Sequence, residues 1–214
     1  MYKYADKLLA QLKKLLQREF NRLGIMGFDE LNVTRVTKET TELFERLLAE
    51  SNKRYLLAAI KARTNAKALA ILAGYEDRNL VVPDEAWLAG FLNKYNFVSG
   101  YLYEPEAERK RLRLAEQVLT AKEYQSRPLY NDSVRRSANL LWTQVAHYML
   151  DVVDESTLET YKMMGVEQVE WHTNMDGHEC QTCRERNGKI YPIDDVPYKP
   201  HRNCRCRWTP VPKK

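Results

Sequence analysis

The chain has 214 residues, 44% hydrophobic and 29% charged, with 13 Tyr and 4 Trp; such an aromatic content excludes a disordered polyelectrolyte, and the length allows one large domain or two small ones. The net charge of +5 is unevenly placed, because residues 178–214 hold nine Lys/Arg and four Asp/Glu, leaving 25 of each sign (34−9 and 29−4) elsewhere. A basic tail points either to an acidic partner, such as nucleic acid or an acidic protein surface, or to a solvated basic surface. No apolar run approaches the roughly 20 residues that span a bilayer. The start, "MYKYADKLLAQLKKLL", is charged throughout and has no signal-peptide core. A soluble chain made in a cytosol is expected.

Leu8, Leu9, Leu12, Leu15, Leu16, Phe20 and Leu23 recur at three- and four-residue steps and predict an amphipathic helix, ended by Gly24 and Gly27. A second helical segment is predicted over 37–73, with Leu43, Phe44, Leu47, Leu48, Tyr55, Ala59 and Ile60 inward and room for a kink at Asn52 or Asn65. Pro83 suits the first turn of a third helix, and Pro105 opens a fourth in the same way. "SRPLYND" reads as a linker before a fifth helix over 133–150. Ser156 and Glu159 read as a capping box that starts a short sixth helix, with Gly165 as its C′ residue. The period then changes to two: Val169, Trp171 and Thr173 alternate with Glu170 and His172, which predicts a strand. "GKIYPI" and "CRCRWTPV" are the other strand candidates, and Asn187–Gly188 is a turn signal. The fold class is therefore mainly α: a helical body over 1–165, then a small β-rich module over 166–214, α+β overall.

All four cysteines lie in that module, spaced Cys-x2-Cys, 17 residues, then His-x2-Cys-x-Cys. Thiolates and imidazole are the ligands zinc prefers, and four of them close a structural site. A CxxC on a tight turn can aim two sulfurs at one point, and Cys204 and Cys206 share a face if their segment is extended. Five candidates, Cys180, Cys183, His201, Cys204 and Cys206, compete for four positions. The first choice is Cys180, Cys183, Cys204 and either His201 or Cys206; an all-cysteine site with His201 outside is the close competitor. A β module of about 45 residues has little core of its own, and metal ligation is the usual supplement. Disulfides fit poorly with a cytosolic start, and a redox CxxC lacks its βαβ context.

The tail "RCRWTPVPKK" mixes cations with an aromatic. Arg202, Arg205, Arg207, Lys213 and Lys214 could contact phosphates and Trp208 could stack on a base. Burial of Trp208 beneath the module is the stronger expectation for that residue. An HNH-type nuclease would need an Asp-His pair and a following catalytic helix. Here Asp194 and Asp195 stand well before His201 and Asn203. There is no Gly-rich phosphate loop and no nucleophile elbow, and His147 sits on an apolar helix as a satisfied boundary residue.

Taken in order, Trp171 to Asp176, the Cys180/Cys183 pair, Gly188 to Tyr191, and "PHRNCRC" over 200–206 resemble the C-terminal signature of the phage Mu F-like minor head proteins. The match covers roughly the last quarter of the chain and includes several separate elements. The resemblance implies a non-enzymatic minor capsid protein of a phage or prophage. Such a protein associates with the portal and assists head morphogenesis and DNA packaging or delivery. Its expected partners are the portal protein, capsid components and packaged double-stranded DNA, with no membrane and no small-molecule substrate. Its expected location is the virion, with assembly in the host cytoplasm. A zinc-finger nucleic-acid-binding protein is the alternative from another class, and a metal-dependent nuclease is a third.

Overall fold

The computed structural model describes residues 2–94, 104–174, 177, 179–201 and 204–213. The first apolar stripe forms α1 (Lys3–Gly24), and Leu8, Leu9, Leu12, Leu16, Phe20 and Leu23 are all buried. A 3-10 turn (Phe28–Glu30) leads into α2 (Val33–Leu72), which is a single helix of 40 residues. It starts four residues before the predicted Thr37 because the Asn32 side chain accepts the Arg35 N–H at 2.9 Å and caps it. Asn52 and Asn65 introduce no break; helix propensity differences of a few tenths of a kcal/mol per residue, on the order of those for Asn, do not stop a packed helix. In α3 (Glu85–Lys94), Pro83 lies outside the helix and Asp84 is the cap, accepting from the Trp87 N–H at 2.8 Å. α4 runs Glu104–Glu123.

The largest departure from expectation is α5, one helix from Arg127 to Met163. "SRPLYND" is its first turn and not a linker. Ser126 accepts the Leu129 N–H at 3.3 Å, and Pro128 sits in the first turn, where a missing N–H costs nothing. The predicted sixth helix is the end of α5. Ser156 makes no capping box: its hydroxyl donates to the Ala59 carbonyl of α2 at 2.9 Å, and Glu159 pairs with Arg63 and Trp87 instead. Gly165 does end the helix. Its φ is +77°, and the Val166 N–H reaches back to the Tyr161 carbonyl at 2.9 Å, the 6→1 bond of a Schellman stop. Among the described residues no helix is long and apolar enough to cross a membrane.

After Gly165 come β1 (Gln168–His172), a short α6 (Gln181–Arg186), β2 (Ile190–Pro192), a 3-10 turn (Ile193–Asp195) and β3 (Arg207–Pro210). The three strands form an antiparallel sheet in the order β2-β1-β3. Pro192 and Pro210 lie in the two edge strands, where an absent N–H leaves no ladder bond unmade. The register sets Trp171 opposite Trp208, and the two rings meet edge to face at 5.5 Å. The "CRCRWTPV" strand begins at Arg207, after the cysteines rather than through them.

The chain folds as two compact units. One comprises Met1–Asp6, Leu56–Trp87 and Met149–Lys214; the other comprises Lys7–Tyr55 and Leu88–Tyr148. The boundary expected at 165/166 marks where helix gives way to sheet, but the packing divides elsewhere. The first unit takes the sheet together with the ends of α2 and α5: Ala66, Ala70, Tyr161 and Met164 share one buried cluster with Val169, Trp171, Cys183, Cys204, Cys206 and Trp208. Two alanines on α2 leave room for large sheet side chains, and so the β module borrows a core that 49 residues cannot supply alone. The second unit is helical. Its core includes Leu12, Leu43, Leu114 and Leu141, with Tyr55 stacked on Tyr148 at 5.6 Å. Within it Arg127 donates to the Gly24 and Met26 carbonyls, both at 2.5 Å, and so satisfies the C-terminal end of α1.

Candidate metal centre

The CxxC segment forms the start of α6 and not a free turn. Cys180 is the helix cap, and its sulfur accepts the Cys183 N–H at 3.4 Å. That bond draws the Cys180 thiol below its ordinary pKa. One helical turn then carries Cys183 inward, where it is 1% exposed. Thr173, just past β1, secures the same turn from below: its hydroxyl donates to the Cys183 carbonyl at 2.6 Å, and its own N–H is held by Asn187 Oδ1 at 2.9 Å. The Asn187–Gly188 pair is thus the turn that returns α6 to the sheet, with Gly188 at φ +76°.

Five donors from two segments meet here. Cys180, Cys183 and His201 form one triad of mutually close ligand atoms, and Cys183, Cys204 and Cys206 form a second, each within 4.8 Å. Cys183 belongs to both. Its sulfur lies 3.6 Å from Cys204 Sγ and 3.7 Å from His201 Nε2. Thiolates at about 2.3 Å from a tetrahedral zinc lie roughly 3.8 Å apart, so these separations fit two edges of such a site. Burial pushes the Cys183 and Cys204 thiols up. A bound cation displaces those protons, and binding therefore weakens as pH falls. No carboxylate joins either group among the described residues. Asp194 is instead surface-exposed and paired with Lys162 at 2.8 Å. Cysteine and histidine clusters near the C-terminus can therefore hold a metal ion, and all five sequence candidates are in them. The cysteines are free thiols.

The predicted phosphate-contacting residues do not act alike. Arg205 is committed to Asp6 at 2.6 Å and lies 5.4 Å over the Tyr2 ring. Arg207 and Lys213 are exposed, and Arg202 and Lys214 lie outside the described residues, as do Asp176, His178 and Asn203. Trp208 is buried at 3% exposure and is not free to stack on a base.

A network next to the cluster was not foreseen. Tyr2 and Lys199 meet the buried carboxylate of Asp154 on α5. Tyr2 Oη lies 2.6 Å from Asp154 Oδ1 and 3.0 Å from the Cys206 carbonyl. Lys199 Nζ lies 2.5 Å from Asp154 Oδ2, donates to the Cys204 carbonyl at 3.3 Å, and also donates to the Tyr2 hydroxyl. Its three N–H bonds are thereby all used. Burial, then the Asp154 charge, raises the Tyr2 phenol well above its ordinary pKa and keeps it a donor. Burial likewise raises the Asp154 carboxyl, against the pull of Lys199. The sequence signal was slight: one tyrosine at the start, one aspartate in an apolar helix stripe and one lysine before Pro200. No family model, curated protein or solved structure matches this chain.

Proposed function

We propose that this chain is a non-enzymatic minor head protein of a phage or prophage, with a C-terminal module clasped by one structural zinc ion. One observation carries the clasp: the CxxC and HxxCxC segments, 17 residues apart in sequence, converge on the buried sulfur of Cys183. Soft thiolates with one imidazole select zinc among the common divalent ions, and a closed four-ligand set gives it a holding role. Cys180, Cys183 and Cys204 with either His201 or Cys206 would hold the ion. Bound there, it joins α6 to the segment that enters β3. The virion role rests on the resemblance of residues 171–206 to the Mu F-like signature. The helical unit would supply contacts to portal and capsid, with exposed Arg207 and Lys213 facing packaged DNA.

Two measurements test this. Purified under reducing conditions, the chain should carry close to one equivalent of zinc; less than about half an equivalent counts against the clasp. Co-expressed with a portal protein from the same genome, the chain should co-purify as a complex. Failure to associate, together with tight and salt-dependent retention on double-stranded DNA, would favour a nucleic-acid-binding protein instead. Cleavage of DNA with added divalent metal, abolished by His201→Ala, would overturn the non-enzymatic assignment.

A further inference from the structure

Lys199, His201 and the Cys204–Cys206 segment are bound from two sides. The imidazole and thiols approach Cys183. The Cys204 carbonyl accepts from Lys199, and the Cys206 carbonyl lies 3.0 Å from the Tyr2 hydroxyl. Two neighbouring cations stand over the Tyr2 ring, Lys199 Nζ at 4.6 Å and the Arg205 guanidinium at 5.4 Å. Arg205 in turn pairs with Asp6, one turn further along α1. The first turn of a helix ordinarily frays, yet Tyr2 is only 8% exposed.

We propose that the turn Tyr2–Asp6 is a latch on the cysteine cluster, its docking linked to metal occupancy. This rests on the metal assignment above. A metal holding the Cys204 sulfur, with His201 or Cys206, fixes the backbone at Cys204 and Cys206. The carbonyls that Tyr2 and Lys199 need are then already in place, and the ordering cost of docking falls. Linkage is reciprocal, so the seated latch must tighten metal binding by the factor by which metal favours the seated latch.

The test uses the full chain and zinc alone. Zinc affinity is measured by competition with a chromogenic chelator for the wild type, Tyr2→Ala and Asp6→Ala. Tyr2→Ala should weaken zinc roughly 10-fold or more, the range known for groups that support metal ligands from outside. Asp6→Ala should act in the same direction by a smaller factor; if Tyr2→Ala does not fold, it carries the affinity test. Hydrogen exchange is followed in parallel. The Asp6 amide, bonded to the Tyr2 carbonyl at 2.8 Å, should exchange about 10-fold more slowly with zinc than with chelator. Amides of Leu114–Val118 in α4 should be unchanged. Wild-type zinc affinity in both variants, or equal Asp6 exchange in both states, would overturn the latch and leave the metal site standing. Absence of stoichiometric zinc in the wild type would overturn both.

Discussion

At the scale of single residues, Cys183 has a position no other donor shares. It sits at the meeting point of both triads, its sulfur is fully buried, and its carbonyl is held by Thr173. Cys180 and Cys206 each belong to one triad only. Cys183→Ser should therefore cost more metal affinity than the roughly 10–100-fold expected of a supporting group, whereas Cys206→Ser leaves Cys180, Cys183, His201 and Cys204 as a possible set. Zinc titration of the two variants side by side checks the ranking; equal loss would make Cys206 an indispensable ligand. The spacing pattern picked out all five side chains of the cluster because ligand chemistry is a property of residue type. It could not rank them, since the rank depends on which side chains the fold buries together.

At the scale of elements, the structure departs from the sequence expectation mostly at helix ends. The stretch around Pro128 reads as a linker and Ser156 as a helix start, yet both lie inside α5. Pro128 is tolerated because it falls in the first turn, and Ser156 because its hydroxyl finds a carbonyl on the neighbouring helix. Gly165 is different, since its positive φ is required by the stop and cannot be supplied from elsewhere. A Cβ there would also meet Arg78 Nη2 at 3.3 Å, and Arg78 already donates to the Met163 carbonyl at 2.8 Å. Gly165→Ala should destabilise the protein by about 1–2 kcal/mol, the cost of a left-handed backbone for a residue with a side chain. A denaturant midpoint unchanged from wild type would show that the stop tolerates a Cβ.

At the scale of the whole molecule, acid sensitivity follows from paired carboxylates in the helical unit. Hydrogen bonds from Arg111 hold Glu108 below its ordinary pKa, and Arg54 does the same for Glu50. A depressed carboxyl binds fewer protons folded than unfolded. Its stabilising contribution is present above the unfolded value of about 4.3 and is lost as pH falls through the lower folded value. The double variant Glu50→Gln, Glu108→Gln should thus be less stable than wild type at pH 7, with the gap narrowing as pH falls to 3. Urea unfolding at the two pH values measures this. A variant whose stability falls as steeply as the wild type's between them would rule these pairs out as the source.

Some features could be known from the chain before it folds. Apolar positions every three or four residues made α1 a helix, and alternation made β1 a strand, because both periods are set by local backbone geometry. Residue chemistry and spacing located the cysteine and histidine cluster for the same reason. Other features exist only by contact between distant segments. The 40- and 37-residue lengths of α2 and α5 are sustained by packing that outweighs local break signals. The β module has a core only because α2 and α5 lend Ala66, Ala70, Tyr161 and Met164 to it. Tyr2 meets Asp154 and the Cys206 carbonyl across separations of 152 and 204 residues. A buried polar network has no local signature, since each of its members is an ordinary residue until the fold removes water and leaves it only the others as partners.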